Sequence, residues 1–392
     1  MTIYKVGSLF AGVGGICLGF KQASDPEKRF ELTWANEFDK YVAQTYRKNF
    51  DHRMIEGNIK KIINPNLDID PKKDEKTDID YEEGRQYIID NPVDILTAGF
   101  PCQTFSIAGN QQGFDDNRGN LFYSIIDLLN LYITEYGEDH LPRVLFLENV
   151  KNLVGHDDGR TFRIIRNELE ELGYHISYKV LNTADYTEIP QNRERIYLVC
   201  FREEQDFNNF NLFENIDDYR INRTEEERIN HIRNILDLDI TIETHKKYYY
   251  TREKYPHYFI TEEEYENIDE AERKDNRINL TEQITEQYQF YQLRRGMYVR
   301  QNQSGLCPTL TANMGTGGHH VPIIRVSDGI RKLTPKETFS LQGFPVNENY
   351  DIPDRYTHIN RPYADGRLYK QAGNSVTIPI VNIISQHILE VL

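Results

Sequence analysis

The chain has 392 residues, of which 39% are hydrophobic and 28% charged, a balance typical of a folded globular protein that is long enough for two domains. Glycines interrupt its first residues and no apolar run is long enough to span a bilayer, so we expect a cytoplasmic protein with neither signal peptide nor membrane helix. The net charge of −16 is only weak evidence against a nucleic-acid partner. Acidic residues are concentrated at 68–83 and 261–275, while basic residues cluster at 191–195 and 292–303, and binding needs only a local basic face.

The first two hundred residues alternate between strand and helix patterns. Short apolar runs that end at glycine or polar residues predict strands, and segments of helical periodicity follow most of them. This βαβα succession predicts an α/β fold with a doubly wound, mostly parallel sheet. The predicted strands are 4–10, 30–38, 93–100, 143–150, 174–182 and 195–202, and the predicted helices are 16–23, 40–50, 119–136 and 161–174.

The pattern weakens near residue 205. The following residues are rich in Asp, Glu, Asn, Arg and Tyr, which predicts a second, smaller domain of irregular α+β structure over 206–368. The last segment, 375–392, is a strongly apolar helix that we expect to pack against the first domain. We therefore assign 1–205 and 369–392 to the first domain.

The four cysteines lie far apart and form no C-x-x-C pair, so the sequence predicts neither a zinc site nor a disulfide framework. Cys17, Cys200 and Cys307 are each best explained as small packed side chains. No metal ligand set is predicted. The fourth cysteine, Cys102, follows a proline and precedes a polar, glycine-rich segment, which is unusual for a packed thiol.

The first predicted strand ends in FAGVGG (10–15), where glycines allow a ligand to approach the backbone closely. Glu37 ends the second strand, at the position of an acid that binds ribose hydroxyls. Together these features predict a cofactor that carries a nucleoside. A GxxxxGK[ST] pattern is absent from the sequence, so a P-loop ATPase is disfavoured.

Cys102 follows the third strand, and Glu148 with Asn149 ends the next one. Because the carboxyl ends of parallel strands meet at one edge, the thiol, the carboxylate and the cofactor site are expected there together. A carboxylate in this position either caps a turn or supplies a proton, and the neighbouring thiol favours the second role. The segment QNRER (191–195) brings Arg193 and Arg195 to the same rim.

The segments that contain these residues closely resemble the motifs of the DNA cytosine-5 methyltransferase family. The similar segments are FAGVGG, GFPCQTFSIAGNQQGFDDNRGNLF (99–122), ENV (148–150), QNRERIYLV (191–199), RKLTPKETFSLQGFP (331–345) and YKQAGNSVTIPI (369–380), in family order. The resemblance covers about 6–202 and 305–385. It implies a Rossmann-like fold that binds S-adenosyl-L-methionine, with 206–368 as a target-recognition domain.

The resemblance also implies a covalent mechanism on a cytosine flipped out of duplex DNA. The Cys102 thiolate would add to C6, and Glu148 would bind the N3 edge and supply a proton. Asn149 and Pro101 would position these groups. Arg193 and Arg195 would bind the base carbonyl and a phosphate, and the loop 109–119 would close over the base.

The cofactor site implied by the resemblance draws on several motifs. One position departs from the family, because Asn58 stands where an Asp commonly accepts the adenine amine, and we expect weaker cofactor binding as a result. The implied cofactor residues are Phe10, Ala11, Gly12, Gly14, Gly15, Glu37, Asn58, Ile59, Pro101, Leu121, Asn374 and Ser375.

DNA recognition is expected from the catalytic loop and from two segments of the second domain, 294–303 and 307–324. Arginine and glutamine can bind guanine and adenine edges, although contacts to phosphates or a plain solvated surface remain open here. The candidates are Gln103, Ser106, Gln111, Arg118, Arg294, Arg295, Arg300, Gln301, Gln303, Thr309, Leu310, Gly317 and Gly318.

The sequence disfavours three other functions. A tRNA methyltransferase of the same family is disfavoured because its Cys-Phe-Thr signature is absent from the sequence. Intact Cys102, Glu148, Arg193 and Arg195 argue against a non-catalytic DNA-binding relative, and NPVD (91–94) is not the tetrad of an adenine-N6 methyltransferase. We expect a bacterial or phage restriction–modification enzyme that acts as a monomer on double-stranded DNA, is nucleoid-associated, and has a cognate endonuclease as genetic partner.

Overall fold

The computed structural model describes residues 1–67, 80–100, 121–237, 239–273, 277–294, 296–302, 304–316, 320–357 and 361–392. These residues form two compact units. The first comprises Met1–Asn182, Glu194–Arg220 and Val376–Leu392, and the second comprises Thr183–Arg193 and Ile221–Ser375.

The first unit is built on a seven-stranded sheet with helices in the connections between its strands. Its strands are β1 (Thr2–Leu9), β2 (Lys28–Glu37), β3 (Arg53–Glu56), β4 (Ile95–Gly99), β5 (Val144–Val150), β6 (His175–Asn182) and β7 (Glu194–Phe201). Its helices are α1 (Gly15–Gln22), α2 (Lys40–Arg47), α3 (Ile59–Ile63), α4 (Tyr81–Asp90), α5 (Leu121–Tyr136), α6 (Arg160–Glu171), α8 (Glu204–Asn209) and α14 (Ile378–Val391).

The strand order is β3-β2-β1-β4-β5-β7-β6, with β7 antiparallel to both of its neighbours and the other pairs parallel. The predicted mostly parallel α/β sheet is confirmed, and each strand predicted over 4–202 is present within a few residues. The sequence analysis missed β3, α3 and α4. These elements are short or polar, and they are stabilised by packing in the core around Trp34 and Ile55 rather than by a strong pattern of their own.

The final helix α14 packs against α1. A Cβ on Gly19 would lie 2.5 Å from Val381 Cγ1, and the Ser385 hydroxyl donates to the Gly19 carbonyl at 3.1 Å. Glycine at this position therefore allows the two helices to approach closely. The apolar segment at the end of the chain, Val376–Leu392, belongs to the first unit.

The second unit contains a five-stranded sheet in the order β10-β9-β11-β12-β8. Its strands are β8 (Tyr249–Tyr250), β9 (Phe290–Arg294), β10 (Tyr298–Gln301), β11 (Ile323–Val326) and β12 (Gly329–Lys332). Its helices are α7 (Thr183–Tyr186), α9 (Glu225–Ile235), α10 (Glu262–Glu266), α11 (Leu280–Gln283), α12 (Pro335–Ser340) and α13 (Asp365–Asn374).

The boundaries of the units differ from the domain boundaries predicted from the sequence. Residues 183–193 belong to the second unit, and two backbone bonds tie them to Cys307. The Asn192 amide donates to the Cys307 carbonyl, and the Cys307 amide donates to the Pro190 carbonyl. Residues 369–375 belong to it because α13 packs on the 3-10 helix at 312–315. The assignment of a catalytic and a target-recognition function to these parts stays a prediction.

Candidate functional site

The glycine turn after β1 has a backbone that few side chains tolerate. Phe10, Gly12 and Gly14 have φ values of 53°, 58° and 88°, in the left-handed region. Within the described part of the chain, a Cβ on Gly12 would have only the Phe10 carbonyl oxygen, at 4.0 Å, within contact range. Among these residues the turn is therefore open on one side, at the edge where the sequence predicts the cofactor, while Ala11 and Gly15 are buried within it.

The other side of the turn is packed against aromatic rings. A Cβ on Gly14 would overlap the Phe50 ring, which stacks on Tyr46 at a centroid distance of 4.3 Å. The Tyr46 hydroxyl contacts Cys17 Sγ at 3.0 Å and His52 Nε2 at 2.7 Å. This cluster of Tyr46, Phe50, His52 and Cys17 supports the turn from behind, and sequence reasoning missed it apart from the buried thiol.

Glu37 ends β2 beside the turn. One carboxylate oxygen accepts from the Gly12 amide at 2.9 Å, and the other accepts from the Asp39 amide at 2.9 Å. Burial raises the pKa of Glu37, although these two amides oppose the rise. The residue as a whole is half-buried.

Three more predicted cofactor residues lie at element starts in the first unit. Asn58 caps α3, its side-chain oxygen accepting from the Lys60 amide at 3.1 Å, and Ile59 is buried as the first residue of that helix. Leu121 is the first residue of α5 and packs against the core. Asn374 and Ser375 belong to the second unit, where they end α13.

The predicted acid lies where β4 and β5 end side by side. Gly99 is opposite Glu148 in the register, and a Cβ on Gly99 would lie 3.5 Å from Glu148 Oε2 and 3.6 Å from Ile16 Cδ1. Gly99 therefore lies between the Glu148 carboxylate and Ile16 of α1, the helix that follows the glycine turn. Glu148 is 8% exposed, and its Oε1 pairs with Arg195 Nε at 3.1 Å.

Asn149 holds the chain end that leads to the predicted nucleophile. Its Nδ2 donates to the Phe100 carbonyl at 2.8 Å, and its Oδ1 accepts from the Val150 amide at 2.8 Å. Phe100 is the last described residue before Pro101 and Cys102. A buried side chain with both ends bonded to backbone has one orientation, so Asn149 fixes the direction in which the chain leaves β4.

The two predicted arginines lie in different units. Arg193 is buried in the second unit and donates to the carbonyls of Leu310, Gly373 and Ser375, at 2.8 and 3.3 Å for the first two. It therefore joins two distant segments of that unit. Arg195, on β7 of the first unit, is the arginine that pairs with the carboxylate.

Gln191 is a buried residue that sequence reasoning missed. Its amide nitrogen donates to the Leu341 carbonyl at 2.6 Å, and its oxygen accepts from the Leu310 amide at 3.1 Å. The QNRER segment contains this residue, but nothing in the sequence distinguishes a glutamine that bonds to buried backbone groups from one on the surface. Thr309 Oγ1 donates to the Asn192 carbonyl at 2.6 Å, and the Leu310 side chain packs in the core, so this pair is held in place by residues 191–193.

The strands β9 and β10 form an antiparallel ribbon with two different faces. Tyr298 is opposite Arg294 and Arg300 is opposite Gln292, and these four share one face because side chains alternate along a strand. Val299 and Leu293 occupy the other face and pack in a hydrophobic cluster. Arg294 Nη2 donates to Gln292 Oε1 at 2.6 Å, which orients both side chains.

Gln301 lies on the face opposite to Arg300, and its amide donates to Glu286 at 3.2 Å. Several other predicted residues lie outside the described part of the chain, so their predicted roles stay predictions. They are Pro101, Cys102, Gln103, Ser106, Gln111, Arg118, Arg295, Gln303, Gly317 and Gly318.

The remaining three cysteines are buried. Burial raises the pKa of each thiol, which is the environment of an unreactive packed cysteine. Among the described residues, no three His, Cys, Asp or Glu side chains converge as metal ligands. No helix in the described ranges is long and apolar enough to cross a membrane.

Comparison with known proteins identifies the family to which the chain belongs. The family model described as C-5 cytosine-specific DNA methylase matches residues 4–390. The chain is 40% identical over 385 residues to Type II methyltransferase M.Bsp6I of Bacillus sp. (strain RFL6), covering 98% of both proteins. It is 31% identical over 393 residues to Type II methyltransferase M.HhaI of Haemophilus parahaemolyticus, covering 97% of this chain and 92% of that protein.

Solved structures agree at the level of the fold. The S. pombe Dnmt2 methyltransferase superposes with a TM-score of 0.59 at 17% identity, covering 97% of each chain. A putative DNA modification methyltransferase encoded in an E. coli prophage superposes with a TM-score of 0.53 at 17% identity, covering 99% of this chain and 98% of that one.

The cluster behind the glycine turn predicts a pH dependence of stability. Burial lowers the pKa of His52 from 6.5 to about 4, with Lys21 adding repulsion. Between these values the unfolded chain binds a proton that the folded chain excludes, so stability falls as the pH falls through this window. In His52→Gln, whose side chain is neutral throughout, we expect the melting temperature to fall less between about pH 7 and about pH 4.5.

His140→Gln, at an exposed site, is the matched control and should keep the wild-type profile. An equally steep loss of melting temperature in His52→Gln and wild type would contradict a neutral, half-buried His52.

Proposed function

Because the chain belongs to the C-5 cytosine-specific DNA methylase family, it is a DNA cytosine-5 methyltransferase, and we propose that it methylates one short duplex site with S-adenosyl-L-methionine as methyl donor. The observation that carries the proposal is the edge shared by the glycine turn and Glu148. There the Glu148 carboxylate pairs with Arg195, and only the space beside Gly99 separates it from Ile16 of α1.

The residues present fit that donor. Among the described residues the glycine turn is open at Gly12, and the Glu37 carboxylate beside it can accept hydrogen bonds from ribose hydroxyls. When bound, S-adenosyl-L-methionine supplies the methyl group at this edge. We propose that Ala11, Ile59 and Leu121 of the first unit contribute to its site. The cofactor role expected of Asn374 and Ser375, which belong to the second unit, stays a prediction.

In the proposed chemistry, the thiolate of Cys102 forms a bond to C6 of a flipped cytosine, which makes C5 nucleophilic. Glu148 in its protonated form donates a proton to N3, so that negative charge does not accumulate on the ring. After C5 has taken the methyl group, the C5 proton passes to water and the bond from C6 to Cys102 breaks, which releases the thiolate. The N3 proton then returns to Glu148, and the aromatic ring is restored. Pro101 and the loop 109–119 are proposed to hold the flipped base in this geometry.

The arginines take different roles in this scheme. Arg195 contacts the carboxylate directly and fixes its orientation toward the base. The Arg193 guanidinium is bonded to backbone carbonyls in the second unit, so we propose that it acts as a positioning residue for the segment at Thr309 and Leu310. This differs from the direct base or phosphate contact expected from the sequence.

The proposed substrate is DNA rather than tRNA. The relatives M.Bsp6I and M.HhaI are named Type II methyltransferases, and the matching family is described as a DNA methylase. In the restriction–modification setting, a cognate endonuclease is the proposed genetic partner, and the enzyme is proposed to act as a monomer.

Methylation itself is tested by conversion-based sequencing of plasmid DNA from a methylation-deficient bacterium that expresses the chain. Protected cytosines are expected in one short recurring sequence. Cys102→Ala should abolish protection, because no other group in the scheme can add to C6. Cys200→Ala, which removes a buried thiol on β7, is the matched control and should retain protection.

Protection by Cys102→Ala at the wild-type level would overturn the covalent mechanism. Complete conversion with soluble wild-type protein would overturn the DNA assignment, and transfer to tRNA would then be tested.

The Asn58 position predicts a gain in cofactor affinity. Asn58→Asp keeps the cap on the Lys60 amide and adds a charge to the oxygen that faces the adenine amine in the proposed site. Hydrogen bonds to charged groups are stronger by about 1 kcal/mol, which is roughly fivefold in Kd. Calorimetric titration with S-adenosyl-L-methionine measures the change.

Asn64→Asp, at the exposed carboxyl end of the same helix, is the control for the added charge. If both variants gain equally, or if neither does, Asn58 is not the adenine-binding residue.

We propose that the exposed face of the β9–β10 ribbon contacts base edges. A two-stranded ribbon fits the major groove, and arginine binds guanine with two hydrogen bonds. The bond from Arg294 to Gln292 orients this pair in advance, whereas Arg300 is exposed at the end of the same face. Thr309, held by the Asn192 carbonyl, is the proposed contact from the neighbouring segment.

Arg300→Ala is expected to relax the methylated sequence at one position, since a lost bidentate contact costs about 1–3 kcal/mol of discrimination. Gln301→Ala, on the opposite face of the same strand, is the matched control and should leave the sequence unchanged. The methylated sequence of each variant is determined by the conversion-based sequencing of plasmid DNA described above. An unchanged motif in Arg300→Ala, or relaxation only in Gln301→Ala, would show that this face does not read bases.

A further inference from the structure

Three lysines of the second unit line a surface cavity, and a fourth lysine lies near them. The cavity has a volume of about 380 Å³ and is lined by Lys246, Lys247, Glu253 and Lys254. Lys332 lies next to it, with its ammonium 5.9 Å from the centre of the Tyr248 ring and 5.7 Å from that of Tyr369. We call Lys246, Lys247, Lys254 and Lys332 the lysine patch.

The patch is only partly neutralised. Lys246 Nζ pairs with Glu253 at 2.9 Å and Lys247 Nζ with Asp365 at 2.8 Å, while Lys254 Nζ donates to the Lys247 carbonyl at 3.2 Å. Burial lowers the pKa of Lys332, and Lys254 and Lys247 add repulsion to it. Four ammonium groups thus face two carboxylates in a chain whose net charge is −16. The repulsion among these ammonium groups decreases when an anion binds to them.

The patch is built on regular structure rather than on a free loop. β8 pairs with β12, and the Lys332 amide donates to the Tyr248 carbonyl at 3.1 Å. These bonds bring residues 246–254 next to residue 332. The distance between the two segments in the chain explains why the sequence analysis did not detect the cluster.

The patch lies beside a segment predicted to approach DNA. Asp365, which pairs with Lys247, is the first residue of α13, and a Cβ on Gly315 would overlap the carbonyl oxygen of the next residue, Gly366. Gly315 ends the 3-10 helix of the segment 307–324. The lysines and this segment therefore meet at the same end of α13.

We propose that the lysine patch binds backbone phosphates of the duplex that flanks the methylated site. The proposal rests on the proposed function, since it assigns part of the DNA to a new surface of the second unit. Duplex DNA presents a phosphate charge about every 1.7 Å along its axis, which several neighbouring lysines can match. Lysine binds phosphate as a point charge without sequence preference, so the patch contributes affinity and register rather than specificity.

The test compares the full-length wild type, Lys246→Gln/Lys254→Gln and a charge-matched control, Lys5→Gln/Lys336→Gln, whose lysines are exposed and lie elsewhere. Binding of a fluorescent duplex that contains the methylated sequence is measured by anisotropy over a range of NaCl concentrations. Each lost phosphate contact reduces the slope of log K against log [NaCl] by about 0.9, so the patch variant should lose about 1.8. Its KM for DNA should rise several-fold with kcat unchanged.

The control variant should keep the wild-type slope and KM. The proposal is overturned if the patch variant has the wild-type slope, if both variants change equally, or if kcat falls while the slope is unchanged. It is also overturned if the patch variant loses affinity for a structured RNA but not for the duplex. Each of these outcomes leaves wild-type methylation intact, whereas a wild type that methylates no DNA contradicts the proposed function instead.

Discussion

The candidate site depends on the way two parallel strands end side by side. β4 and β5 place Gly99 opposite Glu148, and the next residue on β5, Asn149, holds the Phe100 carbonyl. Because the register fixes where both strands end, it also fixes the position of the carboxylate relative to the peptide that precedes the predicted nucleophile. A Cβ on Gly99 would lie in ordinary van der Waals contact with both Glu148 Oε2 and Ile16 Cδ1, so this strand end lies next to the carboxylate and to α1. The register of the two strands therefore places the acid at the edge where the glycine turn ends β1.

Charge is distributed unevenly over the molecule. The first unit buries the Glu148 carboxylate beside Arg195, whose positive charge offsets part of the cost of removing the carboxylate from water. The second unit carries arginines on the β9–β10 ribbon and the lysine patch, each supported by paired strands. A strongly acidic protein can bind a polyanion in this way, because affinity depends on the local surface and not on the net charge.

The QNRER segment shows how one short motif serves two compact units. Arg193 and Gln191 bond to backbone groups of the second unit, and Arg195 lies on a strand of the first. Arg193 is 180 residues from one of its acceptors, Gly373. Its removal would leave several buried carbonyls without a donor, which is costly even if the arginine never contacts the base. Proximity in sequence therefore does not imply a shared role in chemistry.

The sequence by itself determined the family, the parallel sheet and the residues at the strand ends. Motif order, apolar runs and glycine turns are local properties, and they can be recognised without knowing the packing. Only the tertiary structure decided that Arg193 and Arg195 belong to different units, that Arg300 and Gln301 face opposite ways, and that Lys332 joins lysines some eighty residues earlier in the chain. These relations arise from strand register and from hydrogen bonds between distant segments, which no local pattern of side chains encodes.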